Sequence, residues 1–426
     1  MGELIAYLDG TPIGVIGQSA GGSLTFTYDE SYRLNRESTP LSLSLPLVRS
    51  VHKNKPVRAF LQGLLPDSPG RLAEIAREYR TNANNPFALL SHIGRDAAGA
   101  VQLLAPGESS DDAAQRQGDV RELPDSEFAE MITDLVRNRD TWGKRTDDAR
   151  WSLPGAQPKV ALFRTAGGRW AVPQDSTPTT HILKPAIPPY SDHHINEFMT
   201  MGAARELGMH VAGDFLEVTE HGDAIFVAER YDRELKGARW HRLHQEDLCQ
   251  ALSVPPENKY QIEGGPGVAE ITRLLASLPE AEDRRINASR FFDALVFSVA
   301  SLGTDAHAKN YSLLLRRDRA TLAPLYDLGS YAPYVKGGGV NPTLAMSIAG
   351  EYSAGRIRIA DVVLVGVRLG IAREHAEERA REITNGIMDA YSAAGEVARA
   401  QLGADPFIAA MVDSIRDYAH GRGWTQ

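Results

Sequence analysis

Residues 304–310 read TDAHAKN and place Asp305, His307, Lys309 and Asn310 within six positions, separated only by alanines. Side chains this polar seldom all belong to a core. An aspartate can take a proton from an attacking hydroxyl, and an asparagine five positions on can offer an amide oxygen to a hard cation. The flanks hold this cluster from both sides. Upstream, Phe291, Phe292, Leu295, Val296, Val299 and Leu302 recur at helical spacing, and Gly303 is expected to end that helix. Downstream, residues 311–315 (YSLLL) read as a buried strand.

Protein kinases use the same D-x-x-x-x-N spacing in their catalytic loop, with the Asp as base and the Asn on magnesium. On its own the spacing is equally that of a capped loop with solvated charges. Residues 322–329, LAPLYDLG, add a strand ending in Asp327-Leu328-Gly329. This is a counterpart of the kinase D-F-G, whose Asp chelates magnesium, although Asp-x-Gly is also a common turn. Kinase chemistry further needs a strand lysine for the phosphates and a helical glutamate to fix it. Residues 180–184, THILK, end in Lys184, and the following helical stretch carries Asn196-Glu197. No G-x-G-x-x-G precedes that lysine. Residues 152–159, SLPGAQPK, stand there instead, and Gly155 and Ala156 leave backbone N–H groups open to a phosphate.

Composition narrows the class. The chain has 426 residues, 42% of them apolar, which suits two or three domains with an ample core. A single cysteine, Cys249, excludes an internal disulfide or a Cys-based zinc site, points to a reducing cytoplasm and reads as a core residue. The 12 histidines show no zinc-protease pattern. The start, MGELIAYLDG, is not a signal peptide, and the apolar runs stop short of a membrane span, so a cytoplasmic location without membrane contact is expected. A net charge of −9 argues against a free-standing nucleic-acid binder.

The elements that must position the polar cluster follow from periodicity. Residues 3–28 read as short antiparallel strands with a turn at Asp9-Gly10, and the alternation in 41–47 (LSLSLPL) reads as another strand. Residues 56–80 and 85–93 read as helices, the first split at Pro66-Asp67-Ser68-Pro69. Residues 106–122 have few apolar side chains and read as a linker. An amphipathic helix (SEFAEMITDLVRN) and the charged stretch NRDTWGKRTDDAR follow. Next come strands at KVALFR, RWAVP and THILK, a helix over 193–207, and strands DFLEV and AIFVAERY. From about 244 onward the chain reads as helical, including HQEDLCQALS, interrupted only by strands around 311–326. The expected organisation is an N-terminal module (1–105), the linker (106–122), a β-rich lobe (123–232) and a helical lobe (233–426).

These stretches together resemble the HipA family, the serine/threonine kinase toxins of bacterial HipBA toxin–antitoxin modules. PLSLSLPL (40–47), LLPDSP (64–69) and IGRDAAGAV (93–101) resemble the family's N-terminal module. SLPGAQPK, TPTTHILK (177–184), NEF (196–198), ERYDR (229–233), HQEDLCQAL (244–252), GGPG (264–267), TDAHAKN and LYDL (325–328) resemble its kinase core. The resemblance implies an α+β, protein-kinase-like two-lobed fold, similar also to phosphoinositide kinases, with an N-terminal β-rich module and a mostly helical C-terminal lobe.

It also implies roles. Asp305 would be the catalytic base, and Asn310 and Asp327 would hold Mg²⁺. Lys184 would contact the phosphates of ATP, oriented by Glu197. Pro154, Gly155, Ala156, Gln157, Pro158 and Lys159 would form the phosphate loop. Glu229, Arg230 and Tyr231 would lie at the hinge beside the adenine, Tyr326 would line the ATP site, and His307 and Lys309 would sit near the γ-phosphate. Ser152 matches an autophosphorylated serine whose phosphate expels the loop by charge repulsion.

The implied substrate is an aminoacyl-tRNA synthetase, with the glutamyl enzyme the best-known type, and its modification would arrest translation and growth. The implied partner is HipB, a helix-turn-helix antitoxin that binds operator DNA. Arg356 and Arg358 are candidates for touching that DNA, though solvated arginines at a loop-to-helix joint explain them more simply.

Two departures stand out. Leu302-Gly303-Thr304 replaces the H-R of ordinary kinases, which removes the arginine that awaits an activation-loop phosphate. Pro154 is expected to stiffen the phosphate loop. The competing readings are a weak or inactive kinase acting mainly as an antitoxin-bound co-repressor, and a small-molecule or lipid kinase. The intact set Lys184, Asp305, Asn310 and Asp327 speaks against the former, and PLSLSLPL with Ser152 against the latter.

Overall fold

The structure, a computed structural model, describes residues 2–108, 113–137, 151–186, 192–335 and 342–424. The charged stretch 138–150 and the middle of the expected linker lie outside the described residues.

An antiparallel five-stranded sheet opens the chain, in the order Val51–Lys53, Leu24–Tyr28, Thr11–Gln18, Gly2–Leu8, Val101–Leu104. Its first hairpin turns at Asp9 (φ 47°) and Gly10 (φ 77°), both left-handed as that turn type requires. Helix Pro69–Glu78 starts at Pro69, with Ser68 accepting from the N–H of Arg71, so the PDSP break is a built N-terminus.

Residues 41–47 are not a strand. Ser42 and Leu45 pair across a tight turn that buries Leu41 and Leu45, and the Ser44 N–H donates to Ser42 Oγ. Alternation satisfies a turn as well as a strand when its polar members bond to each other, and flanking prolines cannot extend a ladder.

A second antiparallel sheet has six strands, in the order Asp214–Val218, Ala224–Glu229, His181–Pro185, Val160–Arg164, Trp170–Pro173, Val120–Glu122. Val120–Glu122, expected to be the end of the linker, is therefore an edge strand. Helix His193–Glu206 packs between this sheet and the 30-residue helix Arg373–Leu402. The long helix buries Ala376, Ala380, Ile383, Ile387, Tyr391, Ala394 and Ala398, a helical stripe of mostly small residues that lets its neighbours approach closely.

The C-terminal half carries more strands than expected. Arg233–Lys236 and Arg239–Arg242 form a hairpin, Gln245–Asp247 pairs with Ser312–Arg316, and Thr343–Ile348 pairs with Glu351–Ser353. HQEDLCQALS is accordingly a strand followed by the short helix Leu248–Ala251, which contains the buried Cys249.

Helix Ala281–Ala300 buries Phe291, Phe292, Leu295, Val296 and Val299 and aims the polar cluster. Its C-terminus differs from the expected glycine stop. Leu302 takes the left-handed conformation (φ 55°), and the Gly303 N–H donates to the carbonyl of Ser298 at 2.7 Å. Burial of the Leu302 side chain offsets the backbone strain. Three apolar cores result, one within residues 4–103, one under the second sheet, and the largest around helices 193–206, 281–300 and 373–402.

Candidate active site

Strand His181–Pro185 places Lys184 opposite Phe226 of its neighbouring strand, with the ammonium group 5.7 Å from that ring's centre. Lys184 Nζ lies 2.6 Å from Glu197 Oε1 and 2.5 Å from Asp327 Oδ1. Burial opposes the charge on Lys184, but the Asp327 and Glu197 carboxylates outweigh it and hold the ammonium pKa above the ordinary lysine value. Burial also works against ionised Asp327, and Lys184 and Lys159 override it to keep that carboxyl well below the usual range. Glu197 is pushed up to about 7, chiefly by burial. Asp327 itself is left-handed (φ 56°), a strain typical of functional turns. Asn196 braces that turn, its amide donating to the Ser330 carbonyl and accepting from the Ser330 N–H at 2.7 and 2.8 Å.

The catalytic-loop candidates line the same cleft. The Asp305 side chain is 66% exposed, accessible to an acceptor. Asn310 Nδ2 donates to the Asp305 carbonyl at 2.9 Å, leaving its amide oxygen as the ligand end. Asp305, Asn310 and Asp327 line one small cavity. Among the described residues no group of three or more His, Cys, Asp or Glu converges as a metal cage. His307 is buried, and burial lowers its pKa. Lys309 is buried and paired with Asp67 at 2.6 Å.

The 152–159 segment forms the roof. Gly155 has φ 108°, and a Cβ there would meet Lys159 Nζ at 2.3 Å. Lys159 Nζ donates to the Pro154 carbonyl at 2.8 Å, and burial, then Lys184, lower its pKa to about 8. The Asp67 N–H donates to the Gly155 carbonyl at 3.0 Å, so the N-terminal module holds this loop. Ser152 is 1% exposed, with its Oγ donating to the Leu64 carbonyl at 2.7 Å and its N–H to the Asp96 carbonyl at 2.9 Å.

A cleft of about 530 Å³ joins these groups. Its apolar end has Ile182, Ala228, Tyr231 and Tyr326, the two tyrosine rings 5.6 Å apart. Tyr326 is fixed by Ser312 Oγ (2.7 Å) and the Lys309 carbonyl (2.9 Å). Glu229 and Arg230 also line the cleft, but the Arg230 guanidinium turns into a buried network with Asp96 and Asp232.

That network explains the N-terminal motifs. Asp96 of IGRDAAGAV accepts from Arg233 (2.9 Å), Arg242 (3.1 Å) and Arg230 (3.3 Å), and from Thr179. The Gly99 N–H donates to Asp232 at 2.7 Å. Glu246 accepts from Ser42 Oγ and from the Leu43 N–H of PLSLSLPL at 2.5 and 2.8 Å. Asp67 of LLPDSP binds both Lys309 and Lys259. Sequence reasoning missed Asp67 and Tyr260, whose phenol reaches Asp305. The PDSP break signalled only a helix start, and the Gly/Pro-rich surroundings of Tyr260 signalled only a loop.

Known proteins resemble this chain over most of its length. The HipA N-terminal domain model matches residues 4–104, and the HipA-like C-terminal domain model matches residues 151–391. Y4mE of Sinorhizobium fredii is 35% identical over 359 residues, covering 81% of this chain and 80% of its own. The serine/threonine-protein kinase toxin HipA of Shewanella oneidensis is 29% identical over 366 residues, covering 82% and 79%. A chain in the solved Shewanella oneidensis complex of HipA, HipB and its operator DNA superposes with a TM-score of 0.81 at 25% identity, covering 98% of this chain and 96% of that one. No helix among the described residues is long and apolar enough to cross a membrane.

Proposed function

We propose a function from one premise: the chain belongs to the HipA family. It acts as an ATP-dependent serine/threonine protein kinase and as the toxin of a HipBA-type module. One observation carries this reading. Lys184 is pinned between Glu197 and Asp327, and Asp305 and Asn310 line the same cleft. A degenerate, purely binding role gives no reason to keep a buried lysine shared by two carboxylates, an arrangement that is costly unless it is used.

In the working enzyme the adenine lies between the Tyr231–Tyr326 end and the hinge at Glu229. Lys184 and Lys159 meet the phosphates under the Pro154–Pro158 roof. Asp305 accepts the proton of the attacking hydroxyl. Asp327 and the amide oxygen of Asn310 are hard donors on one small cavity, and would hold Mg²⁺, which supplies charge neutralisation at the phosphates. Two protein donors suit a metal that keeps waters and phosphate oxygens as its other ligands.

The acceptor is an aminoacyl-tRNA synthetase, the glutamyl enzyme first among them, and its loss arrests translation in the cytoplasm. The partner is a HipB-type helix-turn-helix antitoxin, through which the chain reaches operator DNA; the Shewanella oneidensis structure holds HipA, HipB and its operator DNA in one complex. Arg356 and Arg358 are exposed on either side of buried Ile357, and Arg358 also faces Asp361.

Ser152 is the inactivating autophosphorylation site. Its burial against Leu64 and Asp96 leaves no room for a phosphate, so modification requires the roof to leave. Intact mass before and after Mg·ATP, for dephosphorylated wild type and Asp305→Asn, tests the reading. One phosphate gained at Ser152 by the wild type alone supports it. No gain together with no nucleotide binding favours the antitoxin-bound co-repressor.

A further inference from the structure

On the kinase reading just given, Asp305 must accept a proton from an acceptor hydroxyl, and another hydroxyl already stands there. The Tyr260 phenol donates to Asp305 Oδ1 at 2.6 Å, and its ring stands edge-on to His307 with centroids 5.0 Å apart. This placement is built rather than incidental. Lys259 binds Asp67 at 3.0 Å, and Gln261 Oε1 accepts from the Ser347 N–H at 2.7 Å, so both sequence neighbours of Tyr260 are anchored. Within the loop, the N–H groups of Glu263 and Gly265 donate to the Tyr260 carbonyl at 3.1 and 2.9 Å. Gly265 lies so close that a Cβ would stand 2.0 Å from the Asn258 carbonyl oxygen. Burial, then the Asp305 carboxylate, keep the phenol pKa above the ordinary tyrosine value, so it remains a donor.

We propose that Tyr260 guards the base: its phenol holds the place of the acceptor hydroxyl on Asp305, and a protein substrate docking against loop 255–267 displaces it. Without substrate, the phenol occupies Oδ1 and denies that oxygen to an attacking water, although the Asp305 side chain stays exposed to solvent. The reaction it suppresses is attack of a water oxygen on the γ-phosphorus, with the water proton passing to Asp305, the β–γ bridging P–O bond breaking, and ADP leaving. Tyr260 acts through Asp305 and is a positioning residue.

The test is inorganic phosphate release by the full chain from Mg·ATP without protein substrate, for wild type, Tyr260→Phe and Asp305→Asn, with Mg·ADP affinity measured alongside. Phenylalanine keeps the ring against His307 and removes only the hydroxyl. The expected result is a rise in kcat of about tenfold for Tyr260→Phe, the factor matching loss of one hydrogen bond to a charged group. KM for ATP is unchanged, and Asp305→Asn does not turn over. Hydrolysis equal to or below wild type, with Mg·ADP affinity intact, overturns the proposal, since the phenol would then be idle or supporting the base. Should Tyr260→Phe not fold, Lys259→Ala frees the loop from Asp67 while keeping the phenol. A smaller rise is expected from it, and no rise overturns the proposal. If wild type binds Mg·ATP but neither hydrolyses it nor takes up phosphate, the kinase reading itself fails, and the guard with it.

Discussion

The Asp67 carboxylate, from the N-terminal module, lies 2.6 Å from the ammonium group of Lys309 in the TDAHAKN segment. Its second oxygen lies 3.0 Å from Lys259, next to Tyr260. Asp67 therefore ties the module to both segments beside Asp305, and its backbone N–H donates to the Gly155 carbonyl. The module is thus part of the site's construction rather than an appended domain.

Replacing Asp67 by Asn keeps the shape and removes the nearer counter-charge of buried Lys309, leaving Asp247 as the other. The expected loss is about 3 kcal/mol of stability, in the range for breaking one side of a buried pair. Burial works to raise the Asp67 pKa, and Lys309 and Lys259 more than offset it, so the carboxyl lies below its ordinary value. A depressed carboxyl contributes stability that is present above its unfolded pKa of about 3.9 and lost as pH falls through the folded value. Urea midpoints from pH 7 downward should therefore show the wild-type advantage over Asp67→Asn shrinking below about pH 4.

Asp96 is the larger loss. Three guanidinium groups share it, and when it is removed Asp232 still pairs with Arg230 and Arg233 but not with Arg242 among the described ion pairs. Asp96→Asn should cost about 3–5 kcal/mol and exceed Asp67→Asn in the same urea series. Equal or smaller destabilisation would mean that Asp232 alone carries the cluster.

Glu197 gives activity and stability opposite pH responses. Burial raises its pKa to about 7, with Lys184 pulling it down only in part. Catalysis needs the ionised form to fix Lys184, so activity should climb as pH rises through about 7. Stability runs the other way, because a folded pKa above the unfolded value of about 4.3 contributes most at low pH and is lost as pH rises through the folded value. Glu197→Gln should lose activity by about 10²-fold through a misplaced lysine and lose the inflection. Above pH 7 it should be at least as stable as wild type by thermal melt.

The sequence made the chemical groups legible and their partners much less so. Asp305, Asn310, Asp327 and Lys184 each sit where an apolar helix or strand ends, so periodicity located them. Asn196-Glu197 fell on a helix whose buried stripe was plain. Pairings across long separations left no local trace. Ser42 meets Glu246 204 residues away, Asp67 meets Lys309 at 242, and Tyr260 meets Asp305 at 45. The serines of LSLSLPL mimicked the exposed face of a strand because a hydroxyl suits solvent and a buried carboxylate equally. Arg230 sat in the expected hinge, yet its side chain follows Asp96 rather than the cleft, which neighbours in sequence cannot specify. The hairpin at 233–242 was hidden because its strands are mostly charged, although the left-handed Gly237 at its turn was a usable signal.

Ser152 is the position at which the proposed expulsion of the 151–159 segment is testable. Its hydroxyl donates to the Leu64 carbonyl in a buried pocket, and a carboxylate at that position has no proton to donate. Ser152→Asp therefore faces carbonyl oxygen with negative charge, and expulsion of the 151–159 segment relieves this more readily than burial does. Mg·ATP affinity should fall by tenfold or more, about the effect of losing a hydrogen-bonded phosphate cradle, with faster limited proteolysis within 151–159. Ser152→Ala removes the same hydrogen bond without adding charge. It should cost only about 1 kcal/mol of stability and keep nucleotide affinity near wild type. Calorimetric titration of both variants with Mg·ATP distinguishes charge-driven expulsion from simple loss of the Ser152–Leu64 bond, since the latter would weaken both variants alike.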